Sequence, residues 1–113
     1  MRNGTTALLA TLALACAAAV PAVALGGARA ASTHDVTLKE SRFHPGTVTI
    51  RHGESVRWDW RDGGIEHNVT FHGFHSRTQG HGSYTIRFAK RGTFSYVCTI
   101  HASEGMRGRV IVR

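Results

Sequence analysis

The chain has 113 residues, with 14 Lys and Arg against 7 Asp and Glu and a formal net charge of +7 with histidine neutral. That length argues against more than one ordinary domain. The basic residues are scattered, without a run of five, which excludes a nucleic-acid-binding arm and leaves a solvated surface or a preference for an acidic partner.

The first thirty residues read as a secretory signal peptide. Arg2 gives a positive start, Ala7 to Leu25 is almost wholly apolar, and Ala28-Arg29-Ala30 fits a small-x-small cleavage site before Ala31. The start carries no Arg-Arg pair, so Sec-type export of an unfolded chain to the periplasm or beyond the cell is expected. The competing readings are an uncleaved membrane anchor and lipidation at Cys16. Against the second, Ala13-Leu14-Ala15 lacks a Leu three positions upstream of Cys16. With cleavage, residues 31–113 form one domain without stable membrane insertion. Arg2 and Arg29 leave with the leader, so the net charge drops by two. Cys98 becomes the sole cysteine, and no intrachain disulfide is possible. A lone thiol in an oxidising compartment calls for burial, pairing between chains or a metal. A domain of about eighty residues also has a small core that a bound metal would staple.

Beyond the leader the pattern is that of short strands. His34 to Lys39 alternates with Val36 and Leu38 on one face, and Thr47 to Arg51 does so through Val48 and Ile50. Phe43-His44-Pro45-Gly46 reads as the turn between them. Ser55 to Arg61 places Val56, Trp58 and Trp60 inward, as core rather than electron relays, with Arg57, Asp59 and Arg61 outward. Asp62-Gly63-Gly64 turns the chain, and period 2 puts His67 on the face of Val69 and Phe71. His72 to Gly82 is a loop. Tyr84, Ile86 and Phe88 line the next strand, Phe94, Tyr96 and Cys98 share a face of another, and Gly108 to Val112 is the last. About seven strands at this spacing predict an all-β sandwich.

The most informative stretch is Cys98-Thr99-Ile100-His101-Ala102-Ser103-Glu104-Gly105-Met106, a C-x2-H-x4-M pattern. Thiolate, imidazole and thioether are ligands that copper, above all Cu(I), selects over harder cations. A His2Cys site with a weak axial Met is the geometry of blue-copper electron transfer, and His67 is the best candidate for the second imidazole. Taken singly, each residue has a duller reading: a buried cysteine, a surface histidine, a core methionine. Zinc fits less well, because thioether is not among its usual ligands. A Cys98–His101 nucleophilic pair lacks an evident orienting group, so an enzyme is not expected. His72, His75 and His81 are read as solvated loop residues, with a second metal site as the alternative.

Gly92 through His101, followed by Gly105-Met106-Arg107-Gly108-Arg109-Val110-Ile111-Val112, resembles the C-terminal part of plastocyanin-type cupredoxins. Met106-Arg107-Gly108-Arg109-Val110 is similar to bacterial amicyanins, and His67-Asn68-Val69 resembles the family's first-ligand motif. Phe43 to Gly46, Gly53 to Val56 and Trp58 resemble its N-terminal strands. The resemblance implies a Greek-key β-sandwich with one copper ion at one end. It implies His67, Cys98 and His101 as ligands, Met106 as the long axial ligand, Asn68 as a brace for the Cys98 loop, and His101 as the electron port. It also implies a redox donor and acceptor as partners, and a monomeric carrier. Three departures stand out. Glu66 and Ile100 occupy positions where plastocyanins commonly carry Pro, and His72 to Gly82 is short for that family. The clustered acidic residues of plant plastocyanins are missing too, so their docking mode does not transfer. A copper delivery or storage protein on the same fold is the alternative function.

Overall fold

The computed structural model describes residues 31–113. The expected signal peptide, its cleavage site and Cys16 lie outside the described residues. Eight strands run in chain order: β1 (Thr33–Lys39), β2 (Arg42–His44), β3 (Thr47–Ile50), β4 (Ser55–Trp60), β5 (Thr70–Phe71), β6 (Ser83–Arg87), β7 (Gly92–Val97) and β8 (Arg107–Val112). One 3-10 turn, Ala102–Glu104, separates β7 from β8.

The strands make two four-stranded sheets, ordered β2-β1-β4-β6 and β3-β8-β7-β5. Each is mixed. β1 runs parallel to β4 with Val36 beside Trp58, and β3 runs parallel to β8 with Val48 beside Val110. Antiparallel pairs complete both sheets. This is the expected all-β sandwich of the Greek-key kind.

Alternation explains the core. Val36 and Leu38 of β1, with Val56, Trp58 and Trp60 of β4, are buried from one sheet, and Ile50, Tyr96, Val110 and Val112 from the other. Trp58 sits at the centre, edge-on to Phe71 at 5.7 Å and to Tyr96 at 5.3 Å between ring centroids. Such edge-to-face pairs add to the burial of their large apolar area.

Two expectations are corrected. Arg42–His44 is a short edge strand rather than part of a turn, because Phe43 pairs with Leu38 and is buried. The turn begins at Pro45, which cannot donate to a ladder. His67 to Phe71 is not a continuous strand. Only Thr70–Phe71 pairs with β7, and His67 makes an isolated bridge with Gln79. Period 2 breaks there, since His67, Asn68 and Val69 are all buried. Tyr84 and Ile86 do share the core-facing side of β6, half-buried because β6 is the open edge of its sheet.

Candidate metal centre

Two segments far apart in sequence meet at one end of the sandwich. The first is the stretch Asp62 to Val69, which carries His67. Its backbone is held on both sides: the His67 N–H donates to the Gln79 carbonyl at 3.0 Å, and the His67 carbonyl accepts from Gln79 at 3.1 Å. The buried Trp60 indole N–H also donates to the His67 carbonyl at 3.0 Å. The second segment is the loop from Cys98 to Met106. It closes on itself through backbone hydrogen bonds. Cys98 N–H donates to the Met106 carbonyl (3.1 Å), His101 N–H to the Cys98 carbonyl (3.2 Å) and Met106 N–H to the His101 carbonyl (3.2 Å). Gly105, at φ 92, supplies the left-handed residue that ends the 3-10 turn.

Asn68 ties the two segments together. Its amide donates to Thr99 Oγ1 at 2.8 Å and to Thr78 Oγ1 at 3.0 Å, and its Oδ1 accepts from the Thr99 backbone N–H at 3.0 Å. Thr70 Oγ1 donates to the same oxygen at 2.8 Å. All of the amide's polar atoms are thus engaged within the site's wall.

Three of the four expected ligand side chains, those of His67, Cys98 and His101, come together. His67 Nδ1 and His101 Nδ1 lie 3.1 Å apart, and Cys98 Sγ lies 3.8 Å from the first and 3.6 Å from the second. Among the described residues, this is the one group of three His, Cys or acidic side chains able to share an ion. His67, Cys98 and Met106 are fully buried, and His101 is partly exposed. Ile100, just before it, is 47% exposed.

The donor set fits a first-row metal ion. At ordinary bond lengths of about 2.0–2.3 Å, an ion within this triangle would subtend donor–metal–donor angles of roughly 100–120°. The tautomer fits as well. His67 Nε2 lies 2.7 Å from Asp62 Oδ2, and a carboxylate accepts, so the ring proton sits on Nε2 and the Nδ1 lone pair faces the triangle. Asp62 also accepts from the backbone N–H groups of Glu40 (2.9 Å) and Ser41 (3.1 Å). Burial alone would push its carboxyl up. The hydrogen bonds from His67, Glu40 and Ser41 outweigh that and hold it below the ordinary value.

Asp62 and Trp60 are the site residues that sequence reasoning missed. The first was visible only as part of a turn, the second only as core. The histidines of the 72–82 loop do not gather. His72, His75 and His81 are exposed, and His75 Nδ1 is 2.7 Å from the Ser76 carbonyl, to which it donates.

Residues 30–113 match the copper binding proteins of the plastocyanin/azurin family. The chain is a cupredoxin of that family. Copper is accordingly its cofactor, one ion per domain. This cupredoxin is 35% identical over 85 residues to a chloroplastic plastocyanin of Tetradesmus obliquus, covering 63% of this chain and 58% of that one. It is 30% identical over 119 residues to amicyanin-alpha of Methylorubrum extorquens, covering 94% and 98%. It is also 30% identical over 115 residues to the copper-resistant cuproprotein CopI of Rubrivivax gelatinosus, covering 76% and 69%. Among solved structures, an amicyanin variant in its Cu(I) form superposes with a TM-score of 0.66 at 26% identity, covering 75% of this chain and 86% of that one.

Proposed function

We propose that this cupredoxin is an exported blue-copper protein that carries single electrons between a redox donor and a redox acceptor. The convergence of two imidazole Nδ1 atoms and one thiolate at 3.1–3.8 Å carries the reading. His67 and His101 would hold copper through imidazole nitrogen and Cys98 through its thiolate, with the buried Met106 of the same loop offering its thioether. Bound copper supplies a one-electron Cu(II)/Cu(I) couple, which two imidazoles, a thiolate and a thioether tolerate in both states.

The chain's own part is to keep those ligands still. The Cys98–Met106 loop is closed by its backbone, Asn68 locks it to the His67 segment, and β7 and β8 anchor both of its ends. Water is kept from Cys98 and His67 by burial. His101, the ligand that reaches the surface, is the electron port, with exposed Ile100 beside it for docking. The basic balance of the domain favours an acidic partner surface. A monomer outside the cytoplasm, without catalytic activity of its own, completes the reading.

The test is a visible absorption spectrum of residues 31–113 with one equivalent of Cu(II). An intense thiolate-to-copper band, bleached by ascorbate and restored by an oxidant, is expected. Weak copper absorption insensitive to Cys98→Ser would refute the ligand set. A second reading, copper delivery or storage on the same scaffold, is favoured by the likeness to the copper-resistant cuproprotein. Loss of copper to a chelator, with no reversible redox wave, would favour that reading.

A further inference from the structure

Among the described residues, the contact between His67 and Asp62 has no counterpart at His101. The carboxylate oxygen lies 2.7 Å from His67 Nε2, the imidazole is fully buried, and the carboxylate is only 12% exposed. The same carboxylate accepts the backbone N–H groups of Glu40 and Ser41, both in the left-handed region at φ 55 and φ 51. Three donors from two separate segments therefore fix the carboxylate in place. It cannot swing away from His67 without releasing the β1–β2 turn.

We propose that Asp62 is a positioning residue for the copper centre. It holds His67 with Nδ1 toward the metal and biases the centre toward the oxidised state, lowering the reduction potential. The inference rests on copper ligation by His67. A carboxylate on the far nitrogen of a ligand imidazole fixes its tautomer and orientation and raises its basicity. Its negative charge, one ring away in a dry site, also interacts more favourably with Cu(II) than with Cu(I), because the two states differ by one positive charge. No atom is transferred; the effect is on the balance between two states of one couple.

Asp62→Asn tests this. Asn is the same size and keeps one oxygen to accept from His67, but the charge is gone. Loss of such an outer partner typically costs about 10- to 100-fold in metal affinity. A loss of about ten-fold confined to Cu(II) would raise the reduction potential by 59 mV for a one-electron couple. The readouts are the potential by voltammetry and, in the diamagnetic Cu(I) protein, the exchange rate of the His67 Nε2 proton by NMR. Exchange should speed up in the variant.

The control is Ser41→Gly, which relaxes the left-handed turn yet keeps its N–H and leaves both Asp62 and His67 in place. Its potential should match that of the parent protein. A parent protein without a blue band would sink the ligand set itself. A blue Asp62→Asn protein with less than a two-fold change in the Cu(II)/Cu(I) affinity ratio would overturn the role of Asp62 alone. An equal shift in Ser41→Gly would assign the effect to the turn instead. Should Asp62→Asn fold poorly, Asp62→Glu provides the second variant. It keeps the charge, and it should stay near the parent potential if the charge is what matters.

Discussion

Gly108→Ala should destabilise the domain by an amount that the geometry bounds. Gly108 lies opposite Tyr96 in the β7–β8 ladder. A Cβ on Gly108 would stand 2.5 Å from Tyr96 Cζ and 2.6 Å from its hydroxyl oxygen. Carbon atoms in comfortable contact keep about 3.5–4.0 Å, so the ring or the strand must move by roughly 1 Å. Tyr96 has nowhere to go. It is 2% exposed, edge-on to Phe43 at 4.7 Å and to Trp58 at 5.3 Å. Overpacking of this kind costs about 1–3 kcal/mol. In a domain of this size each kcal/mol lowers Tm by roughly 4–8 °C, so a drop between about 4 and 24 °C is expected. Gly46→Ala is the matched control, since the nearest atom to its Cβ would be the Phe43 carbonyl oxygen at 3.9 Å. That substitution should stay within about 0.5 kcal/mol. Denaturant unfolding of the metal-free protein, followed by tryptophan fluorescence, reads both midpoints. An unchanged midpoint for Gly108→Ala, or an equal fall for Gly46→Ala, would refute the packing argument.

Other perturbations probe the site and the core. Cys98→Ser should abolish the blue band and the rise in Tm that copper gives the parent protein, because a ligand bound only by the native state stabilises it; an unchanged spectrum would remove Cys98 from the ligand set. Met106→Leu, nearly volume-conserving at a buried position, should keep copper and shift the potential, whereas complete loss of copper would show that the axial role is wrong. The Tyr96 phenol is pushed up from 10.0 to about 12 by burial, with the nearby Trp58 indole opposing weakly from outside good hydrogen-bond geometry. The folded form thus holds that proton more tightly than the unfolded chain. Its contribution is intact below pH 10 and is lost as pH rises through about 12. Tyr96→Phe should flatten that alkaline decline, and an unaltered pH profile would contradict the assignment.

Much of the molecule could be read from residues alone, for identifiable reasons. β4 alternates Val56, Trp58 and Trp60 with charged or polar neighbours, and the three are buried as that pattern predicts. The Cys98-to-Met106 loop was legible because its side chains lie within one short segment and include chemistry rare in a bland core. β2 escaped because three residues beside a proline carry no periodicity, and only pairing with β1 makes them a strand. The break in alternation at His67–Val69 escaped because it depends on Gln79, Thr78 and Thr99, which approach from other loops. Asp62 was hidden for a related reason. An Asp before two glycines is an ordinary turn residue, and its carboxylate meets His67, Glu40 and Ser41 only in the folded chain.

The parallel pairing of β3 with β8 has a consequence for how the domain comes into being. Thr47 and Arg109 face each other across 62 residues of chain. The second sheet therefore cannot assemble from its N-terminal end as the chain emerges; β3 waits for the final strand. Long-range pairing of this kind must overcome its loop-closure entropy before any contact rewards it, which places folding on the millisecond-to-second scale rather than the microsecond one. During that interval Cys98 has been synthesised but not yet enclosed. The thiol, fully buried in the finished fold, is thus most at risk in the interval before the final strand docks.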